Sequence, residues 1–170
     1  MSSWQSSLQT RLAKHPRPKV AILGIGHELR GDDAVGVVVA RELQSIVGTN
    51  YDSLYASSRL AQRPRRLQGK LRRFRPDLVI MVDAAQMDQP PGGIRTIERQ
   101  DALGLSASTH TLPLSVIAEY LVNELGCDII IIGIQPAANE FDTPLSSQVR
   151  RAADEVIAGL QSILLTAPAA

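Results

Sequence analysis

The sequence predicts an α/β fold: a three-layer sandwich in which a mainly parallel, twisted sheet of about five strands carries helices on both faces. Three observations lead there. Short apolar runs alternate along the chain with segments of helical apolar spacing, the pattern of strand–helix units and a parallel sheet. The runs at 77–82 and 128–134 are apolar at consecutive positions, as strands buried on both faces are. The first apolar run stops at Gly24 and Gly26, just before a helical pattern begins, which marks a turn from strand to helix.

Taken in order, residues 1–18 form an N-terminal extension, helical or frayed. Trp4, Leu8 and Leu12 recur there at helical spacing, and Pro16 and Pro18 separate them from the first strand, residues 19–25. Asp32 or Asp33 caps a helix over 34–47, in which Val35, Val38, Val39, Leu43 and Val47 recur at helical intervals, and an acid in its first turn suits the positive end of the helix dipole. Residues 51–56 read as a weaker strand at a sheet edge. The segment 59–75 holds eight arginines and lysines, with no acid between Asp52 and Asp77. After Pro64 it acquires a helical stripe of Leu67, Leu71 and Phe74, so a solvated helix packed on the sheet is the first reading, docking to an acidic partner the second and nucleic acid the third. It lacks the interleaved aromatic rings on which single strands stack.

Residues 77–82 form a central strand with Asp83 at its carboxyl end. Gln89-Pro90-Pro91-Gly92-Gly93 turns into a short strand, 94–97, with Ile94 and Ile97 on opposite faces. After a loop over 101–108 comes His110, and a helix starts near Thr111 with Pro113 in its first turn and Gly126 at its end. The isoleucine-rich run 128–134 is the most buried-looking strand, and the last helix is expected over 144–165. Residues 19–165 make one domain, and 166–170 a disordered tail.

Composition narrows the function. At 170 residues, 44% hydrophobic and 21% charged, the chain has the size and make-up of one soluble domain. A net charge of +1 argues against a dedicated nucleic-acid or membrane binder. A single cysteine, Cys127, excludes a disulfide framework and a multi-cysteine zinc cage and suits a reducing cytoplasm; it reads as a core thiol. No apolar stretch reaches membrane-spanning length, and the N-terminus has no signal-peptide core.

The chemistry converges on one sheet edge. In open α/β sheets, ligands bind beyond the carboxyl ends of the strands, where the loop 26–33 and Asp83 both fall, and His110 sits at a loop-to-helix junction that can face the same crevice. Two carboxylates and an imidazole suit a borderline divalent ion such as nickel, zinc or manganese. A dinucleotide site fails, because Leu29 holds the third glycine position of Gly-x-Gly-x-x-Gly and two acids would repel a pyrophosphate. There is no phosphate-binding Gly-Lys-Ser/Thr loop and no Gly-x-Ser-x-Gly elbow. Each residue also has a plainer reading: Asp33 as a helix cap, although Asp32 alone could serve; Asp83 as a turn residue; His110 as a loop histidine. His15, in the proline-broken linker, is inert, and His27 and Glu28 line the crevice or merely keep the loop polar.

The stretches Leu23-Gly24-Ile25-Gly26, Gly31-Asp32-Asp33-Ala34-Val35-Gly36, Val82-Asp83-Ala84 and Thr109-His110-Thr111-Leu112-Pro113-Leu114, in this order, resemble the maturation endopeptidases of [NiFe] hydrogenases. Gly133-Ile134-Gln135-Pro136 is similar to the subgroup serving the formate-hydrogenlyase and related hydrogenases. The resemblance spans approximately residues 20–160. It implies an α/β sandwich that removes a C-terminal extension from a [NiFe] hydrogenase large-subunit precursor after nickel insertion. Carried over by motif, Asp33, Asp83 and His110 are the catalytic residues and the metal ligands. Nickel would be presented by the substrate, with zinc or cadmium able to take its place in a crystal. The protein is expected to be a cytoplasmic monomer with no small-molecule cofactor, no nucleic acid and no membrane among its partners. Two departures stand out: His27 replaces the usual asparagine, and the segment 59–75 is more basic than its counterpart. The competing readings are a non-catalytic nickel-binding or checkpoint protein docking on the large subunit, and a different metallohydrolase.

Overall fold

The computed structural model describes residues 2–47, 53–56, 64–102 and 114–166. Among them the element order is α1 (Ser3–Leu12), β1 (Val20–Gly24), a 3-10 turn (Gly31–Ala34), α2 (Val35–Val47), β2 (Ser53–Ala56), α3 (Pro64–Phe74), β3 (Leu78–Ala84), β4 (Ile94–Ile97), a second 3-10 turn (Arg99–Ala102), α4 (Leu114–Leu125), β5 (Asp128–Ile134) and α5 (Ser147–Thr166). The five strands form one sheet in the order β2-β1-β3-β5-β4. β2, β1, β3 and β5 run parallel, and edge strand β4 pairs antiparallel to β5, from Ile94 opposite Ile134 to Ile97 opposite Ile131.

Consecutive side chains on a strand point to opposite faces, and the two cores divide accordingly. Leu78, Ile80, Val82 and Ala84 of β3 pack with Val35, Val39 and Leu43 of α2, Val149, Val156 and Leu160 of α5, and Trp4, Leu8 and Leu12 of α1. Val79 and Met81 pack on the other face with Leu67 and Leu71 of α3 and Ala118 and Leu121 of α4. Ile94 and Ile97 join opposite cores, as their spacing predicts. The architecture is therefore the three-layer α/β sandwich expected from the sequence.

The N-terminal segment is helical from Ser3 to Leu12, and Trp4, Leu8 and Leu12 are all buried. Cys127 is buried, its Sγ 3.6 Å from the Leu121 carbonyl oxygen, and burial pushes its thiol pKa upward. α4 stops as predicted at Gly126, which takes a positive φ of 65°. α5 departs from expectation: it begins at Ser147, not at Pro144, because Ser146 is committed to the Asp32 carboxylate. Among the described residues no helix is long and apolar enough to cross a membrane. Of the loop predicted over 101–108, Asp101 and Ala102 close the second 3-10 turn, and of the tail predicted over 166–170, Thr166 ends α5; residues 103–108, His110, the segment 59–63 and residues 167–170 lie outside the described residues.

Candidate active site

The strand order places β2 on one side of β1 and β3 on the other, so the connections leave β1 and β3 in opposite directions. In open α/β sheets this switch point opens a crevice at the carboxyl ends of the strands. Glycines let the start of α2 close onto that point. A Cβ on Gly36 would overlap the carbonyl oxygens of Val82 and Ile25, one on Gly24 would overlap the Gly36 carbonyl, and one on Gly26 would overlap the Asp33 carbonyl. Gly26 also has a φ of 135°, open to glycine but not to other residues. The Ile25 amide donates to the Val82 carbonyl at 2.9 Å, and the His27 amide donates to the Asp33 carbonyl at 3.2 Å. The backbone of the turn carrying Asp33 is thus fitted against the end of β1, and α2 against the residue preceding Asp83.

The adjacent acids do different work. Both are buried, Asp32 at 0% and Asp33 at 2% exposure. Asp32 accepts from the amides of Ala137 at 2.8 Å, Ala138 at 3.0 Å and Ser146 at 2.6 Å, and from the Ser146 hydroxyl at 2.9 Å. Its own amide donates to the Ala138 carbonyl at 3.0 Å. The four carboxylate bonds tie the loop 137–146 to the loop after β1, and they hold Ser146 in the loop instead of the helix. Of the two acids expected to provide the cap of the adjoining helix, Asp32 does not: its carboxylate serves a loop more than a hundred residues further along. Asp33, the acid at the mouth of α2, lies where the positive end of a helix dipole favours negative charge.

Asp83 is fully buried near the end of β3, in register with Gly133 of β5. By strand alternation it shares the face of Val79 and Met81, the face covered by α3 and α4. His110 lies outside the described residues, and α4 opens four residues after it. Among the described residues no three His, Cys, Asp or Glu side chains cluster closely enough to hold an ion by themselves. The described donors are carboxylate oxygens, which suit a borderline divalent ion when an imidazole completes the set.

The rest of the rim is built from polar contacts. His27 Nδ1 accepts from the Leu29 amide at 3.2 Å, so this ring nitrogen shapes the loop. Glu28 Oε1 lies 3.7 Å from Arg41 Nη1. Behind the rim, buried Gln135 accepts from the Met87 amide at 2.7 Å, donates to Gln86 Oε1 at 2.8 Å, and exchanges backbone bonds with Gly92 and Gly93. It stitches the segments after β3 and β5 together. Neither this hub nor the Asp32 tie is evident from local sequence; the sole hint is Gln135-Pro136, polar and helix-breaking, after an otherwise apolar strand.

Fold and candidate site together define a doubly wound α/β protein with buried carboxylates at its switch point. The chain belongs to the hydrogenase maturation protease family, whose sequence model matches residues 63–163. It is 36% identical over 151 residues to a putative hydrogenase maturation protease of Methanocaldococcus jannaschii, covering 86% of this chain and 88% of that one. It is 28% identical over 141 residues to the hydrogenase 3 maturation protease of Escherichia coli K12, covering 82% and 87%. The crystal structure of the [NiFe] hydrogenase maturation protease HycI from Thermococcus kodakarensis superimposes with a TM-score of 0.78 at 33% identity, over 94% of this chain and 99% of that one.

Proposed function

We propose that this protein is a nickel-recognising endopeptidase that removes the C-terminal extension of a [NiFe] hydrogenase large-subunit precursor once nickel is in place, acting as a cytoplasmic monomer. Family membership and the hydrogenase named for its relatives support the substrate class. The observation that carries the site assignment is position: Asp33, on the turn packed against the end of β1, and Asp83, near the end of β3, are both buried beside the switch point, and the neighbouring Asp32 holds the loop 137–146. In this reading Asp33, Asp83 and His110 grip nickel that arrives with the substrate.

The reaction adds water across one peptide bond, leaving a carboxylate on the mature subunit and an amine on the released peptide. A divalent ion held by Asp33, Asp83 and His110 would polarise the scissile carbonyl and acidify a nearby water. The protein supplies orientation: the glycine contacts fit the turn carrying Asp33 against the end of β1 and α2 against the residue preceding Asp83, and the low-dielectric surroundings strengthen the pull of both carboxylates on a cation. The sequence singles out no separate general base; Glu28 and a carboxylate released from the metal are the two candidates.

Mass spectrometry of purified precursor, loaded with nickel or free of it, tests the reading. Incubation should shorten the loaded precursor and spare the nickel-free one, and an Asp33, Asp83, His110 triple alanine variant should shorten neither. A stable complex without cleavage would favour a checkpoint protein. Cleavage of small peptides alone would favour another metallohydrolase. Full processing by the triple variant would sink the site assignment.

A further inference from the structure

Among the described residues five large apolar side chains are exposed: Leu29, Ile46, Val116, Phe141 and Leu165. Ile46, Val116 and Leu165 lie on helices, where single exposed apolar residues are ordinary. Leu29 and Phe141 are different. They are 52% and 65% exposed, they lie on two loops distant in sequence, and the fold brings those loops together. The Asp142 amide donates to the Leu29 carbonyl at 2.7 Å, and the Phe141 ring centroid is 6.3 Å from that of His27.

The loop bearing Phe141 is held firmly. Asp32 binds both of its ends, at Ala137 and Ala138 and at Ser146. Thr143 Oγ1 donates to the Glu140 carbonyl at 2.9 Å. A Cβ on Gly31 would come within 2.8 Å of Thr143 Oγ1 and 2.9 Å of the Ala138 carbonyl oxygen. Asp142 takes a left-handed φ of 59°, a conformation that aspartate tolerates better than most residues. An ordered loop that turns a phenylalanine toward water, beside an exposed leucine, offers an apolar surface ready to be covered. Its position says by what. His27, which touches Phe141 and binds the Leu29 amide, also donates its own amide to the Asp33 carbonyl, so the patch adjoins the candidate catalytic acid. An endopeptidase must hold its chain on both sides of the bond it cuts.

We propose that Leu29 and Phe141 form a substrate subsite, which takes an apolar side chain of the precursor segment adjoining the scissile bond. The subsite rests on the proteolytic reading of the site. Removing both apolar groups weakens substrate binding and leaves the chemical step intact.

The test is steady-state cleavage of nickel-loaded precursor by the wild type, a Leu29→Ser, Phe141→Ser double variant, and Phe141→Leu. The double variant should raise KM roughly 10-fold with kcat within about twofold of wild type, and Phe141→Leu should recover most of the loss. Melting temperatures should coincide, since neither side chain is buried. An unchanged KM in the double variant, or a fall in kcat alone, overturns the subsite while leaving the proteolytic reading standing. Sedimentation of the free protein as a dimer that the double variant dissolves assigns the patch to a second copy and also overturns it. An intact precursor after treatment with wild type removes the proteolytic reading and the subsite together.

Discussion

Two regions stand out in the sequence, and the fold treats them in opposite ways. The loop 26–33 is framed on every side: its backbone abuts β1, its Asp32 is tied to the loop 137–146, and its Gly26 and Gly31 occupy positive φ. The basic helix α3 carries a greater density of charge and very little frame. Leu67 and Leu71 are buried, whereas Arg66, Lys70, Arg72 and Arg73 are exposed. Arg72 pairs with Glu124 at 2.8 Å, both side chains about half exposed, and Arg73 Nε reaches the Gly69 carbonyl at 3.1 Å. Exposed pairs of this kind contribute about 0–1 kcal/mol. Charge density along a sequence therefore does not make a site. A site needs backbone that withdraws polar groups from water and fixes them against one another.

The contrast is sharpest in substitutions. Asp33→Asn or Asp83→Asn should lower kcat/KM for nickel-loaded precursor by more than about 100-fold, since even outer-shell changes at metal sites cost about 10–100-fold. Gly36→Ala forces a methyl into the Val82 and Ile25 carbonyls, and urea unfolding should register a loss of about 3 kcal/mol, the overpacking cost in a rigid core. Replacing Arg66, Lys70 and Arg73 together by glutamine should change stability by less than about 1 kcal/mol; a large rise in KM at low salt would instead give α3 a docking role and break the comparison. The smallest effect lies on the far side of the sheet. There the Arg150 guanidinium donates to both Glu42 oxygens at 2.7 and 2.8 Å, and that hydrogen bonding, ahead of the opposing effect of burial, holds the Glu42 pKa below 4.5. A carboxyl with a depressed pKa stabilises the fold above its ordinary pKa and loses that contribution as pH falls through the folded value. Glu42→Gln should cost at most about 1 kcal/mol at pH 7, and the gap to wild type should narrow in melts as the pH falls below 4.5.

Periodicity accounts for most of what was legible in the sequence. Continuous apolar runs identified β3 and β5, helical stripes identified α2, α3 and α4, and spacing alone put Ile94 and Ile97 on opposite faces. The sheet edge that carries the candidate site could be read from the place of Gly24, Gly26 and Asp83 relative to apolar runs. Long-range polar contacts were not legible. Nothing near Asp32 signals that its acceptors are filled by Ala137, Ala138 and Ser146, and that omission also misplaced the start of α5, expected at residue 144. Leu29 showed only as the wrong residue for a nucleotide loop, and Phe141 not at all, because their adjacency depends on the Asp32 tie.

The account turns on two neighbouring acids with separate tasks, and the most direct test measures both in one experiment: thermal unfolding and cleavage of nickel-loaded precursor for Asp32→Asn and Asp33→Asn side by side. Asp32→Asn should melt at a lower temperature, as expected when charged acceptors for three backbone amides are weakened by roughly 3 kcal/mol in all, yet still cleave at a temperature where it is folded. Asp33→Asn should fold and leave the precursor intact. Cleavage at the wild-type rate by Asp33→Asn would contradict the account, as would an inactive Asp32→Asn with an unchanged melting temperature.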